Sequence, residues 1–396
     1  MRILIACEDL RVGGAQVFTL RLANALRVHH TVILYSLYSD FVDQDLVGKY
    51  APGVAIRSPK LYFDQLLRKV DRLLYLLKIE WSIRDRMVIR NLAILIKRGS
   101  VDIVHSNMFK CDYVVARALQ NTAIPLVITM HGNYEEFLAN YYGETKGEII
   151  LGLLKKVKGT VNRIQGLVYL TEKNLRFNQL GMLTEDVQKK IFFRKIYNGF
   201  AGEVSEVIPR EALGIAAGST VYGFVARGIP EKGWKTVLDA FLLLKSSNDH
   251  LVLVGWSDYV KKLASNYHQH SIHFVGYSSN PLNWMALVDV GLLPSVFHES
   301  LPNVITEYLF LGKAVICTDV GDSANMIAYE KEYAGFVLNS RSISLTEDLA
   351  ACLNLYKQQP ELLGAHQRLA KRAFQKFKME VCLTSYLDLY NKLVNP

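Results

Sequence analysis

The densest chemistry in the chain lies between Pro294 and Glu307, which read Pro-Ser-Val-Phe-His-Glu-Ser-Leu-Pro-Asn-Val-Ile-Thr-Glu. Glu299 and Glu307 stand eight apart. Pro302 suits the first turn of a helix, which puts Glu299 in the preceding loop and Glu307 about one and a half turns in. Both carboxylates can then face one pocket and accept paired hydrogen bonds from vicinal hydroxyls. Between them, the first amides of that helix, at Asn303 and Val304, have no intrahelical acceptor and suit a phosphate. Upstream, Ala226-Arg227-Gly228-Ile229-Pro230-Glu231-Lys232-Gly233-Trp234 sets a guanidinium and an ammonium five apart around a Gly/Pro turn. A planar fork and a compact point charge together match a diphosphate. A Walker loop needs Lys where Trp234 stands, so this is not one.

The first half carries weaker signals. Val12-Gly13-Gly14-Ala15-Gln16 follows a strand and opens a helix, where glycines let backbone N–H groups approach an anion. Tight packing explains such a pair more often than binding does. The spacing is not G-x-G-x-x-G, and no acid closes the next strand, which argues against a dinucleotide dehydrogenase. His131, in Met130-His131-Gly132-Asn133, ends a strand on the edge where open α/β sheets bind ligands. Alone, a loop histidine with a local hydrogen bond is the plainer reading. Asp43-Gln44-Asp45 spells a metal-binding D-x-D, but it lies in a polar stretch and reads as a solvated turn. No metal-ligand cluster is evident.

These residues sit on a repeating strand–loop–helix pattern. Strands are predicted at Ile3–Ala6, Thr31–Tyr35, Ile103–His105, Leu126–Met130 and Leu167–Leu170, with helices at Ala15–Val28, Asp112–Leu119 and Glu172–Leu180. The pattern restarts with strands at Val221–Val225, Leu251–Val254, His273–Val275, Val290–Leu293 and Ala314–Cys317. Helices are predicted there at Trp234–Lys245, Val260–His268, Asn283–Leu287 and Val304–Leu311, and one helix over Pro360–Pro396. Such alternation argues for α/β, and two series for two doubly wound Rossmann-like domains. The Asn198-Gly199 turn marks the junction. The domains are then 1–197, 198–377 and a closing helix at 378–396.

Half of the 396 residues are apolar and 21% charged, a globular composition. No apolar run reaches the roughly 18–20 residues of a membrane span. The five cysteines, Cys7, Cys111, Cys317, Cys352 and Cys382, are odd in number and widely spaced, and read as buried thiols. The first strand, ending at Glu8-Asp9, is too short for a signal peptide's apolar core, so a cytoplasmic protein is expected. The net charge of +9 is uneven: residues 57–98 hold eleven Lys/Arg against four Asp/Glu. Within it, Leu66, Val70, Leu73, Leu74, Leu77 and Trp81 share a helical face, with Arg68, Lys69, Arg72 and Lys78 off that seam. A surface helix pair with solvated charges and a basic amphipathic surface for anionic membranes are about equally good readings. No acid occurs from Ile149 to Thr171, where Lys155, Lys156, Lys158 and Arg163 can extend the surface. Nucleic acid is a poorer partner, because no recognised binding module is present.

In this order and spacing the sequence resembles the retaining family 4 glycosyltransferases of GT-B fold, over nearly the whole chain and most densely from Gly223 to Asp322. The resemblance implies two Rossmann-like domains facing across a cleft, with the final helix crossing back onto the first. It implies a nucleotide-sugar donor, a UDP-sugar by family precedent, and transfer of a hexosyl or N-acetylhexosaminyl group without an essential metal or cofactor. The expected acceptor is a glycan or lipid-linked oligosaccharide of a cell-surface polysaccharide such as lipopolysaccharide, met at the cytoplasmic face of the inner or plasma membrane. By the same resemblance Arg227 and Lys232 would hold the pyrophosphate and Glu307 the ribose. Glu299 would bind the donor sugar, with His131 beside it, Gly14 near the diphosphate and Tyr277 at the base. Trp256-Ser257-Asp258 departs from the family's usual Asp-Gly, and Asn325 from its usual Glu. A non-catalytic sugar-nucleotide-binding or membrane-docking subunit of a glycan assembly complex is the alternative, which donor hydrolysis or transfer by the purified protein would exclude.

Overall fold

The computed structural model describes residues 1–11, 13–77, 82–132, 155–175, 185–244, 248–296 and 299–395. The chain divides into two compact units. One comprises Met1–Gly199 with Met379–Pro396, the other Phe200–Lys378.

The first unit is built on a seven-stranded parallel sheet. Its strands are β1 (Arg2–Cys7), β2 (Thr31–Ser36), β3 (Ala55–Arg57), β4 (Ile103–Asn107), β5 (Leu126–Met130), β6 (Gly166–Tyr169) and β7 (Phe192–Lys195). Their order is β3-β2-β1-β4-β5-β6-β7, so the winding reverses between β1 and β4. Side chains alternate across a strand, and β1 feeds both faces. Leu4 and Ala6 enter a core with Val88, Leu92 and Val115. Ile3, Ile5 and Cys7 enter the other with Phe18, Leu22 and Leu26 of the Gly14–Leu26 helix. The closing helix, Met379–Val394, adds Cys382, Tyr386, Leu389 and Tyr390 to that second core.

The second unit holds β8 (Val221–Val225), β9 (His250–Val254), β10 (Ile272–Gly276), β11 (Val290–Leu293), β12 (Ala314–Thr318), β13 (Ala328–Tyr329), β14 (Glu332–Tyr333) and β15 (Gly335–Leu338). Six of these form a parallel sheet ordered β10-β9-β8-β11-β12-β15, while β13 and β14 pair antiparallel. The reversal here falls between β8 and β11, which pair Tyr222 with Val290 and Phe224 with Leu292.

Several expectations need correction. The predicted helix over Pro360–Pro396 is two, Pro360–Ala373 and Met379–Val394, separated by a 3-10 turn at Phe374–Phe377. Lys378 turns extended, with ψ 139°, where the chain passes from one unit to the other. The helix predicted at Glu172–Leu180 is a 3-10 turn over 172–175, and 176–180 lie outside the described residues. So do Val12, Lys78, Trp81, Asn133 and Lys245. Five strands were not anticipated: β3, β7 and β15 in the parallel sheets and the short antiparallel pair β13 and β14. Each is a sheet edge or only a few residues long, and neither β3 nor β7 carries a buried apolar run. Asp43 does not mark a solvated turn; its side chain caps the Gln44–Tyr50 helix, accepting from the Leu46 N–H at 3.0 Å. All five cysteines are buried and free.

Residues 57–98 form the helices Asp64–Leu76 and Ile83–Gly99. Some of the basic charge here is structural. Arg84 is buried, bonded to Asp64 at 2.7 Å and to the Leu37 carbonyl at 2.8 Å, and Arg68 bridges Asp40 and Asp64. Lys60, Lys69, Arg72, Arg90, Lys97 and Arg98 stay exposed. Of the apolar seam, Leu66, Leu73 and Leu77 are exposed while Val70 and Leu74 are half-buried, and Tyr62 (88%) and Phe63 (78%) stand exposed beside it.

Candidate active site

In open α/β sheets ligands gather where the winding reverses, beyond the carboxyl ends of the strands. In the second unit that point lies between β8 and β11, and their two loops carry the charged residues singled out above. After β8 the chain passes through exposed Arg227 into a single 3-10 turn, Pro230–Lys232. The Trp234 indole, itself fully buried, donates to the Arg227 carbonyl at 2.8 Å and clamps this loop. Gly233 follows at φ 89°; a Cβ there would stand 2.4 Å from the Pro294 carbonyl oxygen. Only glycine lets the β8 turn approach the β11 loop so closely.

The β11 loop is bonded to the β8 turn. The Val296 N–H donates to the Glu231 carbonyl at 2.9 Å, and the Ser295 hydroxyl to the same oxygen at 3.3 Å. From the other side, the Thr318 hydroxyl at the end of β12 donates to the Ser295 carbonyl. This lattice brings together Lys232 and Glu299, 67 residues apart, as an ion pair with both side chains largely buried. Buried charges persist only when paired. The Glu299 backbone is also held from behind. Gly321, at φ 57°, packs so that a Cβ would meet the Glu299 carbonyl oxygen at 2.1 Å, and the Asp322 N–H donates to the Ser300 carbonyl at 3.0 Å. Gly321 is a positioning residue that the sequence showed only as part of another Gly-rich turn; its positive φ was the signal that spacing could not reveal.

Helix Asn303–Phe310 begins right after Pro302 and carries half-buried Glu307. It is fixed on the sheet by Tyr308, whose hydroxyl donates to the Gly223 carbonyl of β8 at 2.8 Å. Its first amides, at Asn303 and Val304, and its dipole lie at the same reversal point. Tyr277 is 79% exposed, one residue beyond β10.

The first unit places Gly14 as the opening residue of the Gly14–Leu26 helix, after extended Gly13. His131 follows β5. Its Nε2 donates to the Asn107 side-chain oxygen at 2.9 Å, and the Asn107 amide donates to the Ala6 carbonyl at 3.4 Å. Phe18 meets the imidazole edge-on, with centroids 5.7 Å apart. Burial pushes His131 down to about 4, so the ring is neutral at pH 7. Asn107, missed in the sequence, ends β4 and orients that ring.

Residues 12–173 match the model for Glycosyltransferase Family 4, and residues 219–356 that for Glycosyl transferases group 1. The chain carries the two domains of a family 4 glycosyltransferase. Solved glycosyltransferase structures of the GT-B class share its fold from end to end. Anabaena HepE in complex with UDP has a TM-score of 0.74 at 19% identity, covering 99% of this chain and 100% of HepE. Sucrose-phosphate synthase from Thermosynechococcus elongatus gives 0.72 at 15%, with 99% of both chains covered. WaaG, a glycosyltransferase involved in lipopolysaccharide biosynthesis, gives 0.67 at 18%, over 98% of this chain and 99% of WaaG. At such identities the likeness is one of fold. No functionally curated protein matches the chain in sequence. Among the described residues no helix of this glycosyltransferase is long and apolar enough to cross a membrane.

Proposed function

We propose that this glycosyltransferase moves a hexosyl or N-acetylhexosaminyl group from a UDP-sugar to a glycan or lipid-linked acceptor, with retention of anomeric configuration and without a metal. The observation that carries the reading is the Lys232–Glu299 pair, which joins the β8 and β11 loops at the winding reversal, with Arg227 on the first loop and the Asn303 and Val304 amides opening the helix that follows the second. In this reading the bond from the anomeric carbon to the diphosphate oxygen breaks with oxocarbenium character. Arg227 and Lys232 take the charge that builds on the departing diphosphate, the task a divalent cation performs in metal-dependent transferases. Glu299 accepts from sugar hydroxyls and Glu307 from the ribose.

The acceptor reading rests on the first unit's surface. Tyr62, Phe63, Leu66, Leu73 and Leu77 are exposed beside Lys69 and Arg72. Apolar insertion plus cationic attraction suits an anionic membrane surface, and supports work on a cell-surface polysaccharide precursor at the cytoplasmic face.

A single experiment tests the core of this. The purified chain is incubated with UDP-, GDP- and ADP-sugars, with and without EDTA, and nucleotide release is followed. UDP release that persists in EDTA is expected and, with a simple glycoside supplied as acceptor, a product whose new glycosidic bond keeps the α- or β-configuration of the donor in its NMR spectrum. Activity abolished by EDTA, or an inverted product, overturns the metal-free retaining part. Sedimentation with phosphatidylglycerol vesicles tests the membrane part, which fails if the protein stays in the supernatant at low salt.

A further inference from the structure

The first sheet also reverses its winding, between β1 and β4, and the residue that leaves β1 there is an acid. Glu8 is 8% exposed, and its Oε2 has no hydrogen-bond partner. The next residue shows a buried carboxylate that is satisfied. Asp9, 6% exposed, accepts from the Arg11 N–H, the Arg11 guanidinium and the Gln16 amide, each at 3.1 Å. Among the described residues one other buried acid keeps an oxygen without a partner, Asp249. It stands just before β9, at the amino end of the second sheet's strands, whereas open α/β sheets take ligands at the carboxyl ends. Glu8 stands at a carboxyl end, at the reversal itself.

The surroundings of Glu8 are fixed on both sides. The loop after β1 is pinned to the loop after β2: the Leu10 N–H donates to the Phe41 carbonyl at 2.9 Å, and the Asp43 N–H to the Leu10 carbonyl at 3.1 Å. Across the reversal Met108, the first residue past β4, sits at φ 78° and ψ 141°. A residue with a side chain rarely adopts that conformation, and such strain gathers at ligand sites. Burial pushes the Glu8 carboxyl above the usual carboxylate range, against the pull of Lys110. Lys110 is itself engaged, donating to the Tyr38 hydroxyl at 2.7 Å and lying 3.7 Å from Asp85. A buried acid without a partner costs stability. Among the described residues none donates to Oε2 to offset that cost, which points to a ligand that does.

We propose that Glu8 binds the acceptor, accepting a hydrogen bond from one hydroxyl of its sugar. The inference rests on the reading above that the acceptor is a glycan, and none of the donor residues enters it. What Glu8 lacks is a hydrogen-bond donor. A cationic one would meet Lys110 and Arg11, whose charges both act on this carboxyl. A hydroxyl is neutral, bonds strongly to a carboxylate, and is what a sugar presents. The cost that Glu8 imposes on the free chain then serves selection. A ligand without that hydroxyl leaves the carboxyl buried and unpaired, so it is rejected.

Saturation-transfer NMR of the full-length chain with the methyl α- and β-glycosides of glucose, galactose and N-acetylglucosamine tests this, with UDP calorimetry and urea midpoints alongside. At least one glycoside should bind the native chain. Glu8→Leu should weaken it about 10–150-fold, the span of one lost hydrogen bond to a charged group. Glu8→Gln, which still offers an oxygen, should lose less. One monodeoxy analogue of that glycoside should bind the native chain poorly, and Glu8→Leu should abolish the discrimination. UDP affinity should not change, and the urea midpoint of Glu8→Leu should match or exceed the native one, since an unpaired buried acid is gone. Glycoside binding as tight in Glu8→Leu as in the native chain overturns the proposal. Lost binding with a lower urea midpoint also overturns it, because Glu8 then acts through the fold. A native chain that holds none of the glycosides overturns it as well, while UDP binding leaves the donor reading standing. A chain that holds a glycoside but no UDP breaks the donor reading and leaves this inference intact.

Discussion

The two sheets reverse their winding in the same way, yet the buried polar groups that tie distant segments together differ in kind. Beyond β8 and β11, Lys232 and Glu299 form a buried ion pair between loops. In the first unit buried Glu8 and Asp9 also follow β1, Asp9 paired with Arg11, but the groups that tie β4 and β5 to the closing helix are neutral. His105 of β4 is fully buried, with Nε2 2.8 Å from the Thr129 hydroxyl and Nδ1 2.6 Å from the Tyr390 hydroxyl, while Tyr386 meets Thr129 at 2.9 Å. Burial holds His105 down to about 3, and its neighbour His131 adds to that. Thus β4, β5 and the closing helix are joined by uncharged groups that satisfy one another. A neutral network of this kind holds the fold without the cost of desolvating a charge.

The comparison is broken most sharply by Lys232→Ala. Losing one preorganised donor to a developing anion costs about 10²–10³ in rate. Initial rates at saturating donor should fall by that factor, and the melting midpoint should fall with them because Glu299 is left buried without its partner; a rate loss under tenfold means Lys232 does not serve the leaving group. Gly321→Ala comes next. It forces a Cβ against the Glu299 carbonyl, so transfer should drop about tenfold or more, since misplacement of about 1 Å can cost 10², and the left-handed φ adds about 1 kcal/mol of strain.

The neutral network is probed by His105→Leu, which strands the Tyr390 hydroxyl and leaves Thr129 only its Tyr386 partner. Each stranded group costs about 1–3 kcal/mol, read as a lower urea midpoint, whereas UDP affinity should stay as it is. The same site sets a pH dependence. Folded His105 and His131 take up protons only near 3 and 4, and unfolded histidine does so near 6.5. Below 6.5 the unfolded state binds more protons, so stability is full above that pH and declines as pH falls toward 3. Urea midpoints at pH 7.5, 5.5 and 4.5 should fall in that order, and less steeply in His105→Leu. The smallest effect is expected from Asp43→Ala, which removes a helix cap worth about 1 kcal/mol. It should lower the melting midpoint without touching transfer, and a loss of activity there would revive a metal role for Asp43.

Much of the second unit was readable in one dimension. Arg227, Lys232, Glu299 and Glu307 lie in short segments after apolar strands, and strand ends are where this architecture puts ligands. The first unit was less so, because its polar network spans His105, Thr129, Tyr386 and Tyr390 and has no local spacing. The tyrosines read only as part of a long terminal helix. The edge strands β3 and β7 escaped notice because edges need no buried apolar run.

The amino-acid order alone set the alternation of strands and helices, the turn glycines and the identity of the charged groups, since hydrophobic period and residue type are local properties. Tertiary structure alone decided that Lys232 would pair with Glu299, that Gly321 would pack against the Glu299 backbone, and that the last helix would bond to His105. Those are contacts between residues far apart in the chain, and they exist only once parallel strands have been brought to lie side by side.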